Sequence, residues 1–97
     1  MSTRTSQVEA AVRRVLSDAI HDLRDPRIPV VVTIEAVRVS ADLQHARVFV
    51  SALGDTGELL AALNHARGFL QARLAGDLNL RRTPNLAFYD AGSSALP

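Results

Sequence analysis

Residues Val30 to Val39, VVVTIEAVRV, are crowded with β-branched side chains, and HARVFVSAL, His45 to Leu53, alternates between apolar and polar from Ala46 on. Both features mark strands. Only the short SADLQ segment, with turn-forming Ser40 and Asp42, separates the two runs, so the spacing predicts an antiparallel hairpin. The alternation slips between Ile34 and Val37, as the extra residue of a β-bulge makes it do. A hairpin alone is marginal in water. Its apolar face needs a cover, and the flanking sequence provides one on each side.

Upstream, Val8, Val12, Val15, Leu16, Ala19, Ile20 and Leu23 recur at helical spacing, the pattern of an amphipathic helix. Ser6 and Glu9 have the S-x-x-E spacing of a capping box at its start. The helix is expected to stop near Arg24, because Pro26 disfavours helical backbone at Asp25. Downstream, Asp55 followed by Glu58 offers a second capping signature. After it Leu59, Leu63, Ala66, Leu70 and Leu74 fall at steps of four, three, four and four, and the helical period runs on to Leu78. Gly68 interrupts it. A glycine inside a helix costs about 1 kcal/mol relative to alanine, so a break is expected here. Past Arg81, Arg82 and Pro84, LAFYD reads as a short third strand. The expected order is α, β, β, α, a break, α, β: one α+β domain over 1–97, with a core over about 6–90 and a loose tail over 91–97.

A chain of 97 residues closes one core and not two. No apolar run approaches the roughly 20 residues that span a bilayer, and MSTRTSQVEA lacks the apolar segment of a secretory signal. There is no cysteine, which excludes disulfides, a thiolate nucleophile and a cysteine zinc site. His21, His45 and His65 lie in three different elements and none pairs at i, i+4, so no metal site is expected. No nucleophile elbow, P-loop or dinucleotide glycine pattern is present. Catalysis, cofactors and small-molecule substrates are not expected.

The net charge is only +1, but it is unevenly placed. Arg4, Arg13 and Arg14 against Glu9 leave residues 1–14 at +2, and Arg67, Arg73, Arg81 and Arg82 against Asp77 leave residues 60–82 at +3. The acids gather at Asp18, Asp22 and Asp25 and at Asp55 and Glu58. All eleven basic residues are arginine; a GC-rich coding bias gives the same result, so function is read from position alone. A helix that restarts after Gly68 presents free N–H groups and a positive end, which suits phosphate. Arg67, Arg73, Arg81 and Arg82 would surround that end, with Arg13 and Arg14 as a weaker second patch. Alternatively, Gly68 lets the helix pack closely on the sheet and the arginines form a solvated face.

The element order with its helix–glycine–helix break is that of a type II KH module. The segments DPR (Asp25 to Arg27), VTI (Val32 to Ile34), VRVSADL (Val37 to Leu43), ARVFVS (Ala46 to Ser51), GFL (Gly68 to Leu70) and LNLRRTPNLAF (Leu78 to Phe88) together resemble the bacterial ribosome-binding factor A family over roughly residues 4 to 90. The resemblance implies a KH-like three-stranded sheet with helices packed on one face. It also implies a cytoplasmic protein that binds the free small (30S) ribosomal subunit, assists maturation and processing of 16S ribosomal RNA, and matters most in the cold. Ala66-Arg67-Gly68 fits the family's A-x-G interhelical kink, which replaces the KH loop. The chain departs from the family at Gln71, where a basic residue is common.

On this reading the RNA-binding residues are Arg67, Gly68, Arg73, Arg81, Arg82, Arg13 and Arg14, the protein acts as a monomer, and Val12, Leu16, Ile20, Leu63, Leu70 and Leu74 share the core. Scarce aromatics, three Phe and one Tyr, favour recognition of phosphates and shape over base stacking. The rival expectation is a KH-like module that binds a partner protein, with an apolar patch near Phe69 and Tyr89 and little response to salt.

Overall fold

The hairpin forms where the alternation places it. In the computed structural model, which describes residues 3–92, β1 (Val32–Val39) and β2 (His45–Ala52) pair antiparallel. The register steps from Ile34 opposite Val50 to Ala36 opposite Phe49 and leaves Glu35 as the bulged residue. Ile34 and Val37 are three positions apart, which in a regular strand would put them on opposite faces. The bulge turns both into the core, where both are buried. At the hairpin tip Asp42 accepts from the Ser40 hydroxyl at 2.6 Å and from the Gln44 N–H at 3.0 Å. These bonds hold its carboxyl below the ordinary carboxylate range. Leu43 takes a left-handed φ of 63°, a conformation that is costly for a side chain with a Cβ.

The first helix, α1 (Thr3–His21), precedes the hairpin, and α2 (Thr56–His65), α3 (Arg67–Asp77) and β3 (Asn85–Asp90) follow it. β3 lies parallel to β2, which is the central strand. This is the KH-like α+β arrangement. One core cluster takes Val12, Leu16 and Ile20 from α1, Leu63 from α2, and Leu70 and Leu74 from α3. These seat on Val37, Val48, Val50, Leu86 and Phe88 of the sheet, so all three helices cover one face. Full burial of a leucine contributes about 1.5–3 kcal/mol, and Leu16, Leu59, Leu63, Leu70 and Leu74 all reach it. On the opposite face Phe49 stacks on its register partner Tyr89, with ring centroids 5.4 Å apart.

Side chains from the helices bond to backbone groups at both edges of the sheet. On the β1 edge the Val39 N–H donates to the Glu9 carboxylate at 2.9 Å, and Arg13 donates to the Glu35 carbonyl at 2.8 Å. On the β3 edge the Leu86 N–H donates to Gln71 Oε1 at 3.2 Å, while the Gln71 amide donates to the Pro84 carbonyl. Unpaired edges invite pairing with another chain, and these bonds occupy part of each edge.

Three boundaries differ from the sequence reading. The first helix begins at Thr3, so Ser6 and Glu9 lie inside it; Glu9 does not complete a capping box but reaches β1. It ends at His21, before Arg24, because the Asp22 and Leu23 N–H groups bond back three residues, to Ala19 and Ile20, tightening the last turn well ahead of Pro26. The break read from glycine propensity at Gly68 falls at Ala66, the first residue of the Ala66-Arg67-Gly68 kink that the resemblance implies; Ala66 ends α2 and starts α3 with φ −88° and ψ 7°. The second cap forms as read: the Asp55 carboxylate accepts from the Gly57 and Glu58 N–H groups. Of the tail expected over 91–97, Ala91 extends the β3 pairing by donating to the Val50 carbonyl at 2.8 Å. Residues 93–97 lie outside the described residues.

Candidate nucleic-acid interface

Arg67 is the first residue of α3, next to the Ala66 break, and is exposed. Ala66 supplies no side-chain cap to α3, and the first bond of its ladder runs from the Leu70 N–H to the Ala66 carbonyl at 3.0 Å. The helix therefore opens with its positive end beside a guanidinium. Arg67 borders a groove of about 380 Å³ together with Asn64 of α2, His45 and Arg47 of β2, and Asn85 and Tyr89 of β3. The groove has no acidic residue in its lining.

Arg81 and Arg82, in the connection between α3 and β3, gather with Arg4 of α1 around a second hollow at the hairpin tip, where Asp42 is the one acid. The two hollows meet at the bond from the Asn85 N–H to the Gln44 carbonyl, 2.8 Å. The result is a strip carrying Arg67, Arg47, Arg81, Arg82 and Arg4, with His45 between them. Among the described residues none of these five arginines forms an ion pair or a side-chain hydrogen bond. Their guanidiniums are exposed and unpaired, the condition that attracts a polyanion.

The other arginines named from sequence are placed elsewhere. Arg73 donates to Asp22 at 3.0 Å and lies 3.7 Å from Asp77, so two carboxylates neutralise it. Arg13 is committed to the bulge carbonyl of Glu35. Arg14 is exposed and joins neither hollow. Gly68, the second residue of α3, has right-handed backbone and open space where a Cβ would stand. Arg4, Arg47 and His45 were missed in the sequence reading. The signal for Arg47 and His45 was present in the hairpin: alternation sends Arg47 to the outer face, and the short turn brings His45 beside the connection that carries Arg81 and Arg82.

Among the described residues no three His, Asp or Glu side chains gather as metal ligands, and no helix is long and apolar enough to cross a membrane.

Residues 4–94 match the family model of ribosome-binding factor A. The chain is 40% identical over 92 residues to ribosome-binding factor A of Prochlorococcus marinus, covering 90% of this chain and 75% of that one. It is 41% identical over 87 residues to that of Rubrobacter xylanophilus, covering 88% and 71%. The crystal structure of ribosome-binding factor A from Thermus thermophilus superposes with a TM-score of 0.86 at 37% identity, over 93% of this chain and 98% of that one. A Thermus thermophilus homology model fitted into the cryo-EM map of a 30S complex gives 0.75 at 38% identity, over 86% and 90%. With the KH-like fold and these likenesses, the chain belongs to the ribosome-binding factor A family.

Proposed function

We propose that this protein binds the free small ribosomal subunit through 16S ribosomal RNA and assists the RNA's late maturation and processing, with its greatest effect in the cold. It acts as a cytoplasmic monomer, without a cofactor and without catalysis. The observation that carries the reading is the strip of five unpaired arginines, Arg4, Arg47, Arg67, Arg81 and Arg82. Free guanidiniums spaced over two hollows suit an RNA backbone, each matching a phosphate as a planar fork. The fitted relative in a 30S complex supports the choice of partner.

The test replaces Arg67, Arg81 and Arg82 with alanine together and measures binding to purified small subunits over a salt series. All three side chains are exposed, so the fold should survive. Each lost phosphate contact removes about 0.7–0.9 from the slope of log affinity against log salt, and the triple variant should therefore flatten it by about two. An unchanged slope in a folded variant would remove the strip from the interface.

A second reading is favoured by Phe69, which is 47% exposed on α3: a partner protein covers this region. It predicts binding that barely responds to salt.

A further inference from the structure

The groove beside the helix break has a feature that phosphate binding does not require: an aromatic wall. Tyr89 borders the groove, and Phe49 stacks on it with an interplanar angle of 28° without itself lining the groove. Phe49 is buried, so the tyrosine ring is backed by a second ring anchored in the sheet. Asn64 and Asn85 flank the same groove, and amide side chains carry both donors and an acceptor. Arg47, Arg67 and His45 supply the cations. Arg47 also stands directly opposite Arg38 across the β1–β2 ladder. Like charges so placed repel, and a bound anion would relieve the strain. At about 380 Å³ the space lies at the small end of the range for ligand sites: room for one base and its sugar, not for a duplex.

We infer that this groove takes a single unpaired nucleotide of RNA, its base against the Tyr89 ring, its phosphate on Arg47 and Arg67, and its base edge within reach of Asn64 and Asn85. The inference rests on the RNA-binding reading above and deepens it. Unpaired bases are the part of RNA that proteins read by stacking and by amide hydrogen bonds. The scarcity of aromatics does not exclude this, because one well-backed ring suffices for one base.

Tyr89 is the only tyrosine and the chain has no tryptophan, so its fluorescence reports on the groove directly. A short single-stranded oligoadenylate should quench it saturably, while an adenylate–uridylate RNA duplex of the same length should leave it largely unquenched. By anisotropy of a labelled oligoadenylate, Tyr89→Leu and Arg47→Gln should each weaken binding about ten-fold. Tyr89→Phe, which keeps the ring, should bind as the parent does. Should Tyr89→Leu fail to fold, the exposed Arg47→Gln variant and the parent's quenching carry the test. Equal quenching by both RNAs, no quenching, or unchanged affinity in folded Tyr89→Leu overturns the inference. If the parent chain still binds small subunits in any of these cases, the inference falls alone. If the parent does not bind them, the functional reading falls.

Discussion

The Arg73 guanidinium donates to the Asp22 carboxylate at 3.0 Å, joining the middle of α3 to the residue just beyond the end of α1. A cation that is prominent in the sequence is thereby withdrawn from any polyanion, and its second neighbour, Asp77, completes the neutralisation. Both partners are partly exposed, and such pairs contribute about 0–1 kcal/mol. Arg73→Ala should therefore shift the urea midpoint little and leave the salt dependence of small-subunit binding unchanged. Arg81→Ala should flatten that slope by about one. A slope that falls equally in both variants would show that the Asp22 pairing does not hold Arg73 back.

Gly68→Ala should stabilise the protein. The residue lies inside α3, its φ is not left-handed, and a Cβ there would meet nothing within 4 Å. The gain expected from a helical glycine-to-alanine change is about 0.5–1 kcal/mol, or a few degrees in Tm for a domain of this size. Gly54 is the contrast. Its φ of 105° strains any side chain, and Gly54→Ala should lower Tm. A fall in Tm for Gly68→Ala would mean that the break depends on the glycine and not on Ala66.

The sequence reading succeeded where local pattern decides the structure. The slipped alternation between Ile34 and Val37 located the bulge because strand faces follow a strict period of two. Asp55 caps α2 because an N-cap needs only residues two and three places on. It fell short where a distant partner competes. The S-x-x-E spacing pointed Glu9 at its own helix terminus, yet Val39, thirty residues away, holds the carboxylate. Summed charge placed Arg73 with Arg67, Arg81 and Arg82, but the pairing with Asp22 spans fifty-one residues. Glycine propensity marked the break two residues late, since the bend depends on the backbone of Ala66, whose side chain gives no local warning. Arg4 and Arg47 join Arg81 and Arg82 only through the closing of the sheet on α1 and the α3–β3 connection.

Asp25 gives the loop after α1 a pH dependence. Arg27 donates to it through Nη2 at 2.7 Å, Nε at 3.1 Å and its backbone N–H at 2.9 Å. Chiefly the side-chain bonds, with the backbone bond second, lower the carboxyl from 3.8 to about 2. A carboxyl depressed in the folded state stabilises fully above its unfolded pKa and loses that contribution as pH falls toward its folded value. The Asp25 contribution should thus be intact above about pH 4 and vanish toward about pH 2. The difference in urea midpoint between the parent and Asp25→Asn should shrink across that window. A difference that stays constant with pH would exclude the linkage.

Gln71 does two things that no lysine or arginine can do together. Its carbonyl accepts from the Leu86 N–H at 3.2 Å, and its amide donates to the Pro84 carbonyl. A lysine could donate to Pro84, but it has no acceptor for Leu86. Gln71→Lys should therefore leave the partly buried Leu86 N–H unpaired, at a cost of about 1–3 kcal/mol. Gln71→Ala, which lets water reach both groups, should cost toward the lower end. Amide exchange reads the site directly: the Leu86 N–H should lose protection in both variants, while Val48 and Val50 in the central strand slow or speed only with global stability. Unchanged Leu86 protection in Gln71→Lys would mean that the Leu86 N–H is held by something other than this side chain.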